Sequence, residues 1–374
     1  MARLARGEYL DPLNIQIVHT IQRCVRRAFL CGIDPLSGKD YDYRRTWIRD
    51  RLEFLASVFA VDCLTYTVMS NHIHLVLRSR PDIVRSWSDE QVARRWLRLF
   101  PKRKEPNGQP AEPTEVELNQ ILLDPSRVAE LRTRLSDISW WMRFSAENIA
   151  RQANKEDQVT GHFWEGRYKA QLLLDEASIL ACAMYVDLNP IRAAIAETPE
   201  KSQFTGAHDR IEDVKTSLKK SATKSKNQKT SPAKQLVPKR SKRWEQSGRR
   251  RRQSGWLSPI EIDEQSDPVG VHASGCGRRA SLKGFLSISL ARYLELLDWT
   301  GRQLRHDKRG AIPDELAPIL KRLGIDSSGW CDLVKKFGRL FKRAAGSPES
   351  MAGEAERRGQ SFMHAPGCSL LTID

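Results

Sequence analysis

Two histidines separated by one apolar residue lie in the stretch Met69–Leu77, and their types and spacing suit metal binding. The apolar residues of this stretch favour a β-strand, and Ser70 and Asn71 favour a turn before it. Side chains alternate faces along a strand, so His72 and His74 project side by side. Two neutral imidazoles in this arrangement can ligate a divalent cation. Taken alone, the pattern also fits two histidines on the solvent face of a half-buried strand.

A tyrosine and an asparagine four residues apart form a second group that can do chemistry. Tyr185 and Asn189 lie on a predicted helix, where this spacing places both on one face. A phenol oxygen can attack phosphorus, but its unperturbed pKa of about 10 requires a nearby cation or base. The Asn189 carbonyl can complete a metal site begun by two histidines and leave positions open for phosphate oxygens. Tyr185 as a core residue and Asn189 as a helix C-cap before Pro190 are the alternatives.

The positive charge is concentrated in one segment. The 374-residue chain has a net charge of +16, and residues 215–252 hold fifteen Lys and Arg residues against one acid, Glu245. This segment contributes +14, so the rest of the chain sums to +2. Its Lys-, Ser- and Thr-rich composition cannot bury a core, which predicts disorder. Such a segment favours nonspecific binding to phosphates, although a localisation signal or a merely solvated tail fits the same composition.

Cysteine usage and hydropathy indicate the cellular compartment in which we expect the protein. The seven cysteines are scattered without a CxxC pair, which favours neither a disulfide framework nor a zinc ribbon. The first fourteen residues have no apolar core of signal-peptide length, and no run of 18 apolar residues occurs. We therefore expect a soluble cytoplasmic protein with no membrane partner.

The periodicity of apolar residues predicts an α+β fold with an antiparallel sheet close to ferredoxin-like. The order along the chain is strand, helix, strand, strand, helices, strand, helix. The predicted strands are residues 14–22, 62–69, 72–77 and 169–174, and the main helices are residues 44–59, 125–135, 136–153 and 176–189.

Composition divides the chain into four parts. Residues 10–200 form the α+β domain, residues 201–281 a basic disordered linker, residues 282–345 a small all-α domain, and residues 346–374 a loosely ordered tail. The all-α domain should contain three helices, with apolar positions at 286–299, 316–323 and 330–341.

Three blocks in the first domain resemble one family. MSNHIHLVL, GHFWEGRYKAQLL and AMYVDLNPIRAAI, in this order, are similar to the REP-associated tyrosine transposases, which are single-tyrosine HUH transposases with an IS200-like domain. The resemblance covers about residues 10–200. It implies that His72 and His74 bind a divalent metal, Mg²⁺ or Mn²⁺, that Tyr185 is the catalytic nucleophile, and that Asn189 occupies the position of a further metal ligand.

The resemblance implies cleavage and rejoining of single-stranded DNA near hairpins through a 5′-phosphotyrosine, in DNA transposition or the dissemination of repeat elements. The expected partner is single-stranded and hairpin DNA, and the chain is a monomer or a homodimer. The long segment between the histidine strand and the second block, and the additions after residue 200, depart from compact members. A domesticated hairpin-DNA-binding protein without mobility and an HUH replication-initiator nickase are the alternatives. The base that deprotonates Tyr185 cannot be identified from sequence.

The second block combines aromatic rings with cations, which is typical of a nucleic-acid contact. Base stacking on an aromatic ring contributes about 1–3 kcal/mol per base, and cations bind phosphates. A core position for Phe163 and Trp164 is the alternative. The predicted DNA contacts are His162, Trp164, Arg167, Tyr168 and Lys169, with Arg23, Arg26 and Arg27 after the first strand as weaker candidates.

Overall fold

The computed structural model describes residues 10–25, 30–34, 38–103, 105–106, 110–227, 253–262, 273–304 and 329–363, and of 220–227 the backbone only. Five strands form one mixed sheet in the order β2-β3-β1-β4-β5. The first four are antiparallel neighbours, and β5 is parallel to β4. The α+β class is therefore confirmed, but a purely antiparallel sheet is wrong, because a short C-terminal strand joins its edge. The strands are β1 Ile17–Arg23, β2 Val61–Val68, β3 His72–Ser79, β4 Lys169–Leu173 and β5 Ala344–Ala345.

Helices cover both faces of the sheet. The helices described are α1 Arg44–Val58, α2 Pro81–Arg85, α3 Asp89–Arg98, α4 Glu115–Leu122, α5 Pro125–Arg134, α6 Ile138–Glu156, α7 Glu176–Asp187, α8 Asn189–Arg192, α9 Gly206–Asn227, α10 Leu290–Gln303, α11 Trp330–Leu340 and α12 Pro348–Arg357. Helix α4 lies in a region where the sequence predicted no helix. Within the ranges described, no helix is both long and apolar enough to cross a bilayer.

Alternation along β3 separates its side chains into two environments. Ile73, Leu75 and Leu77 enter a hydrophobic cluster that includes residues of α1 and α6. Val76, from the opposite face, enters a second cluster formed with α7. Because residues two apart share a face, His72 and His74 lie on the α7 side of the sheet. The predicted strand therefore presents both imidazoles to the helix that carries Tyr185.

Helix α7 has apolar residues on all sides, and other elements of the fold pack against two of these sides. Its residues Ala177 to Met184 are all buried. A helix without a polar face is stable only inside a core. The sheet buries one side of α7, and α10 and α11 supply Tyr293, Trp330, Phe337 and other residues to the same hydrophobic cluster.

The expected disorder after residue 205 is wrong for residues 206–227, which form α9. The first turns of this helix contain buried residues that anchor it to the domain, and the average composition of the predicted linker does not reveal them. Asp209 is fully buried, accepts a 2.9 Å hydrogen bond from the Tyr66 hydroxyl and pairs with Arg49 at 3.0 Å. Trp256, also in the predicted linker, is buried against Tyr66.

Part of the predicted domain division falls on residues that are not described. Residues 228–252 of the basic segment and the predicted helix at 316–323 lie outside the described ranges. The division of the chain into four domains stays a prediction.

Candidate active site

A buried carboxylate fixes the end of α7 that carries Tyr185. Asp187 accepts hydrogen bonds from the hydroxyls of Thr65 at 2.5 Å and Tyr293 at 2.6 Å, and from the backbone N–H of Ala207 at 3.2 Å. Burial raises the pKa of Asp187, and these bonds oppose that rise. Thr67, on the same strand as Thr65, donates to the backbone carbonyl of residue 186. Helix α7 is therefore anchored to β2, α9 and α10 within two residues of Tyr185.

The two predicted metal-binding histidines have their Nδ1 atoms engaged. His72 Nδ1 lies 2.6 Å from Asn71 Oδ1, and His74 Nδ1 lies 2.9 Å from Nε2 of His19 on β1. The His74 Nε2 atom is buried and has no hydrogen-bond partner. Partners on one ring nitrogen fix the ring orientation and the tautomer of a histidine, and leave the other nitrogen as a ligand.

Burial keeps these imidazoles neutral near pH 7. Desolvation, followed by the positive charge of Arg23, lowers the pKa of His72 to about 4. Desolvation, followed by the neighbouring His19 and His72, holds the pKa of His74 well below its ordinary value. A neutral imidazole keeps a lone pair that a metal ion can accept.

Tyr185 lies beside His74 and His19. Its ring centroid is 5.6 Å from that of His74 and 5.8 Å from that of His19, both edge to face. The Arg192 guanidinium carbon lies 4.6 Å from the centroid of the Tyr185 ring. The structure thus brings Tyr185 close to the histidine pair, although the two were proposed from separate parts of the sequence.

One pocket joins these groups to the predicted DNA contacts. It has a volume of about 170 Å³, and we call it the histidine–tyrosine pocket. Its walls combine two imidazoles and a phenol with three cations and one carboxylate, so its charge is positive when the imidazoles are neutral. The lining residues are Ile21, Arg23, His72, His74, Glu165, Gly166, Arg167, Lys169 and Tyr185.

The second sequence block forms the rim of this pocket because it continues beside β1. The Glu165 N–H donates to the carbonyl of Arg23 at 2.9 Å. Gly166 then adopts a φ of +152°, which side chains rarely allow, and its carbonyl accepts a bond from Gln22 Nε2 at 3.0 Å. This turn directs the chain into β4, with Arg167 and Lys169 at the opening of the pocket.

Asn189 does not join the residues that line this pocket. The sequence predicted one helix through Asn189, but α7 ends at Asp187, and Leu188, with φ −90° and ψ 2°, connects it to α8. This break interrupts the helical spacing that placed Asn189 one turn from Tyr185. Asn189 is 8% exposed, and its amide nitrogen has no hydrogen-bond partner. Its assignment as a metal ligand stays a prediction.

The aromatic residues of the second block differ in exposure. His162 is exposed, whereas Tyr168 is buried, with its hydroxyl 3.0 Å from Ser139 Oγ. Trp164 is half-buried and donates its Nε1–H to the carbonyl of Ala146 at 2.8 Å. Stacking of a base on Trp164 or Tyr168 stays a prediction, and the contact with Ala146 favours the core alternative for Trp164.

The residues present fit a weakly held divalent cation. The unpartnered Nε2 of His74 is a buried nitrogen that a metal would satisfy, and His72 lines the pocket beside it. In the part of the chain that the structure describes, no three His, Cys, Asp or Glu side chains gather closely enough to hold a metal ion. The chain therefore offers two imidazoles, and other ligands would come from water, phosphate or an amide carbonyl.

Sequence reasoning missed His19. Along β1, Ile17, His19 and Ile21 share the face that β3 presents to α7, so the alternation in sequence contained a signal. The register puts His19 opposite Val76 and diagonal to His74, a relation that only strand pairing defines. His19 is 2% exposed, and desolvation lowers its pKa to about 4, although a hydrogen bond to the Gln171 side chain opposes this.

Comparison with known proteins gives one structural similarity. No family model matches the chain, and no curated protein matches it. A solved structure described as a REP-associated tyrosine transposase bound to a REP hairpin is 11% identical over 58% of this chain and 88% of the other, with a TM-score of 0.34. Similarity at this level carries no argument about the chemistry, which rests on the geometry of the pocket.

Proposed function

We propose that this protein is a metal-dependent transposase that cleaves and rejoins single-stranded DNA near hairpins through a phosphotyrosine intermediate. The observation that carries the proposal is the convergence of Tyr185, His72 and His74 on one cationic pocket. A nucleophile, two neutral ligands and phosphate-binding cations are the parts that phosphoryl transfer requires. The strand order β2-β3-β1-β4, with one helix between β1 and β2, supports the ferredoxin-like arrangement predicted from sequence.

In the proposed reaction the Tyr185 oxygen attacks the scissile phosphorus. The new O–P bond forms as the bond to the 3′ oxygen breaks, and the phenolic proton ends on the released 3′ hydroxyl, directly or through solvent. The product is a 5′-phosphotyrosine, which keeps the phosphodiester energy for rejoining. Arg167 and Lys169 at the rim would bind the phosphates on either side of the break.

His72 and His74 are the residues that would hold the metal. When bound, the cation supplies Lewis-acid stabilisation of charge on the phosphate oxygens. The chain's own contribution is to keep both imidazoles neutral and oriented, through burial and the partners of their Nδ1 atoms. Mg²⁺ prefers oxygen ligands, so Mn²⁺ is the more suitable probe of an imidazole pair.

Capture of the covalent adduct tests the proposal. Full-length protein is incubated with Mn²⁺ and a pool of single strands that carry a hairpin, randomised flanks and a 3′ fluorophore. We expect a labelled band at the mass of protein plus DNA on a denaturing gel. Tyr185→Phe should abolish this band and leave hairpin binding unchanged, because only the attacking oxygen is lost.

The matched control is Tyr43→Phe, since Tyr43 is exposed, bonds through its hydroxyl to Glu156 and is not among the residues that line the histidine–tyrosine pocket. This variant should form the adduct at the wild-type rate. His72→Ala should lose both the adduct and Mn²⁺ binding measured by electron paramagnetic resonance. Hairpin binding with no adduct from wild-type protein would favour the domesticated DNA-binding alternative. An adduct that persists in Tyr185→Phe would exclude Tyr185 as the nucleophile.

A further inference from the structure

Helix α11 is in direct contact with the proposed nucleophile, Tyr185. Helix α11 buries Trp330, Leu333, Val334 and Phe337 in the hydrophobic cluster that contains α7. The rings of Phe337 and Tyr185 have centroids 6.0 Å apart. The segment that follows the basic region is therefore packed on the helix that carries the site.

The phenolic oxygen of Tyr185 lies against bare backbone of α11. A β-carbon placed on Gly338 would be 2.8 Å from this oxygen and 3.2 Å from Cζ of the same ring. Real β-carbons essentially never approach another heavy atom within 3.0 Å. The φ of Gly338 is not positive, so its backbone does not require glycine. Glycine is also among the least favourable residues inside a helix, and the space given to Tyr185 accounts for its presence here.

Two further groups contact the tyrosine ring. The Arg192 guanidinium covers the ring at 4.6 Å, and His74 lies edge-on at 5.6 Å. The ring therefore lies between these groups and α11, with one side open to the pocket, and the backbone of Gly338 lies next to its oxygen.

We propose that Gly338 is a positioning residue: its missing side chain gives the Tyr185 oxygen its place beside the histidine–tyrosine pocket, so that the C-terminal segment forms part of the active centre. This inference rests on the proposed function of Tyr185. It assigns a role to residues 329–341, which the sequence had set apart as a separate helical domain.

The geometry sets the size of the expected effect. A β-carbon at Gly338 falls about 0.6 Å short of the 3.4 Å at which ordinary contact begins. The oxygen must therefore move by roughly that distance, or α11 must withdraw. Misplacement of a reacting group by about 1 Å can reduce a rate by about 100-fold. We expect Gly338→Ala to slow adduct formation by about 10- to 100-fold.

The test compares Gly338→Ala with Gly353→Ala. Both glycines lie inside C-terminal helices, and a β-carbon at Gly353 would meet nothing within 4 Å. Both variants therefore gain the same helix propensity, but only one crowds the tyrosine. Single-turnover adduct formation, hairpin affinity, Mn²⁺ affinity and the thermal midpoint are measured for each. Only the rate of Gly338→Ala should fall, with hairpin and Mn²⁺ affinities unchanged.

A readout that does not depend on cleavage separates this inference from the proposed function. With 3-fluorotyrosine at position 185, the fluorine resonance should shift in Gly338→Ala and not in Gly353→Ala. If wild-type protein forms no adduct, the proposed function fails, and the fluorine signal still tests the contact.

An unchanged rate, or an unchanged fluorine signal, overturns the positioning role. A faster reaction also overturns it, because α11 would then restrain the nucleophile rather than place it. Should Gly338→Ala fail to fold, Phe337→Leu adds no atoms and removes the ring contact from the same tyrosine. A wild-type rate in that variant rejects the proposal.

Discussion

His19 is the residue whose replacement most directly tests how the fold prepares His74. His19 Nε2 lies 2.9 Å from His74 Nδ1, and His19 Nδ1 lies 3.5 Å from Gln171 Oε1. If His74 offers its Nε2 lone pair to a metal, its Nδ1 must carry the proton and donate it to His19. The acceptor role of His19 Nε2 then places its own proton on Nδ1, towards Gln171.

The expected loss of Mn²⁺ affinity follows from the loss of His19 Nε2 as a hydrogen-bond acceptor. In His19→Leu, the N–H on His74 Nδ1 is either left unpaired in a buried site, at a cost of about 1–3 kcal/mol, or the proton moves to Nε2 and removes the lone pair. Partners behind a metal ligand typically contribute about 10- to 100-fold in metal affinity. We expect His19→Leu to weaken Mn²⁺ binding by this factor, and His19→Gln, whose carbonyl can accept the same bond, to weaken it less.

Electron paramagnetic resonance titration of Mn²⁺ measures the effect without any cleavage. Thr20→Val is the matched control, because Thr20 is the next residue of β1, is equally buried, and points into the cluster on the other face of the sheet, with weak 3.5 Å contacts. It should leave Mn²⁺ affinity unchanged. Wild-type Mn²⁺ affinity in a folded His19→Leu protein would refute the reasoning, as would stronger binding by the leucine variant than by the glutamine variant.

Two further predictions concern stability and electrostatics. Asp187→Ala leaves three buried donors without their acceptor, so urea denaturation should show a loss of more than about 3 kcal/mol. The control Asp298→Ala breaks only an exposed i,i+4 ion pair and should cost under about 1 kcal/mol; equal losses would contradict the anchoring role of Asp187. Deletion of residues 228–252, with ten basic residues and one acidic residue, should weaken DNA binding alike for hairpin and scrambled strands. If about five of its cations contact phosphates, the deletion should reduce the salt slope by about 3.5, at about 0.7 per contact; a lost hairpin preference with an unchanged slope would contradict this.

Local patterns determined the parts of the site that depend on one element. The alternation of β3 placed His72 and His74 on one face, and the structure keeps them there because the residues between and after them enter the opposite cluster. Asp175 as an N-cap and Pro190 as a stop signal also predicted the helix that carries Tyr185. Both depend only on the geometry of a single strand or helix, which neighbouring residues specify.

Helical spacing did not predict the position of Asn189, because the helix that carries Tyr185 ends before this residue. Asn189 was predicted one turn from Tyr185, but α7 ends at Asp187, two residues before it. Pro190 has no N–H to donate to the carbonyl of residue 186, which accepts a hydrogen bond from the Thr67 hydroxyl instead. The proline is visible in the sequence, whereas the contact from β2 comes from a residue 119 positions away along the chain.

The contacts made by the C-terminal helices also could not be predicted from the sequence. The sequence of α7 has no polar face, which indicates that a second layer must cover it, but it does not say which residues do so. Tertiary packing decided that α11 is that layer and that Gly338 meets the tyrosine. Likewise, the β1–β3 register paired His19 with His74, since side chains on two strands become neighbours only through the alignment of those strands. The sequence by itself thus determined which groups could react, and the tertiary structure decided which residues hold them in place.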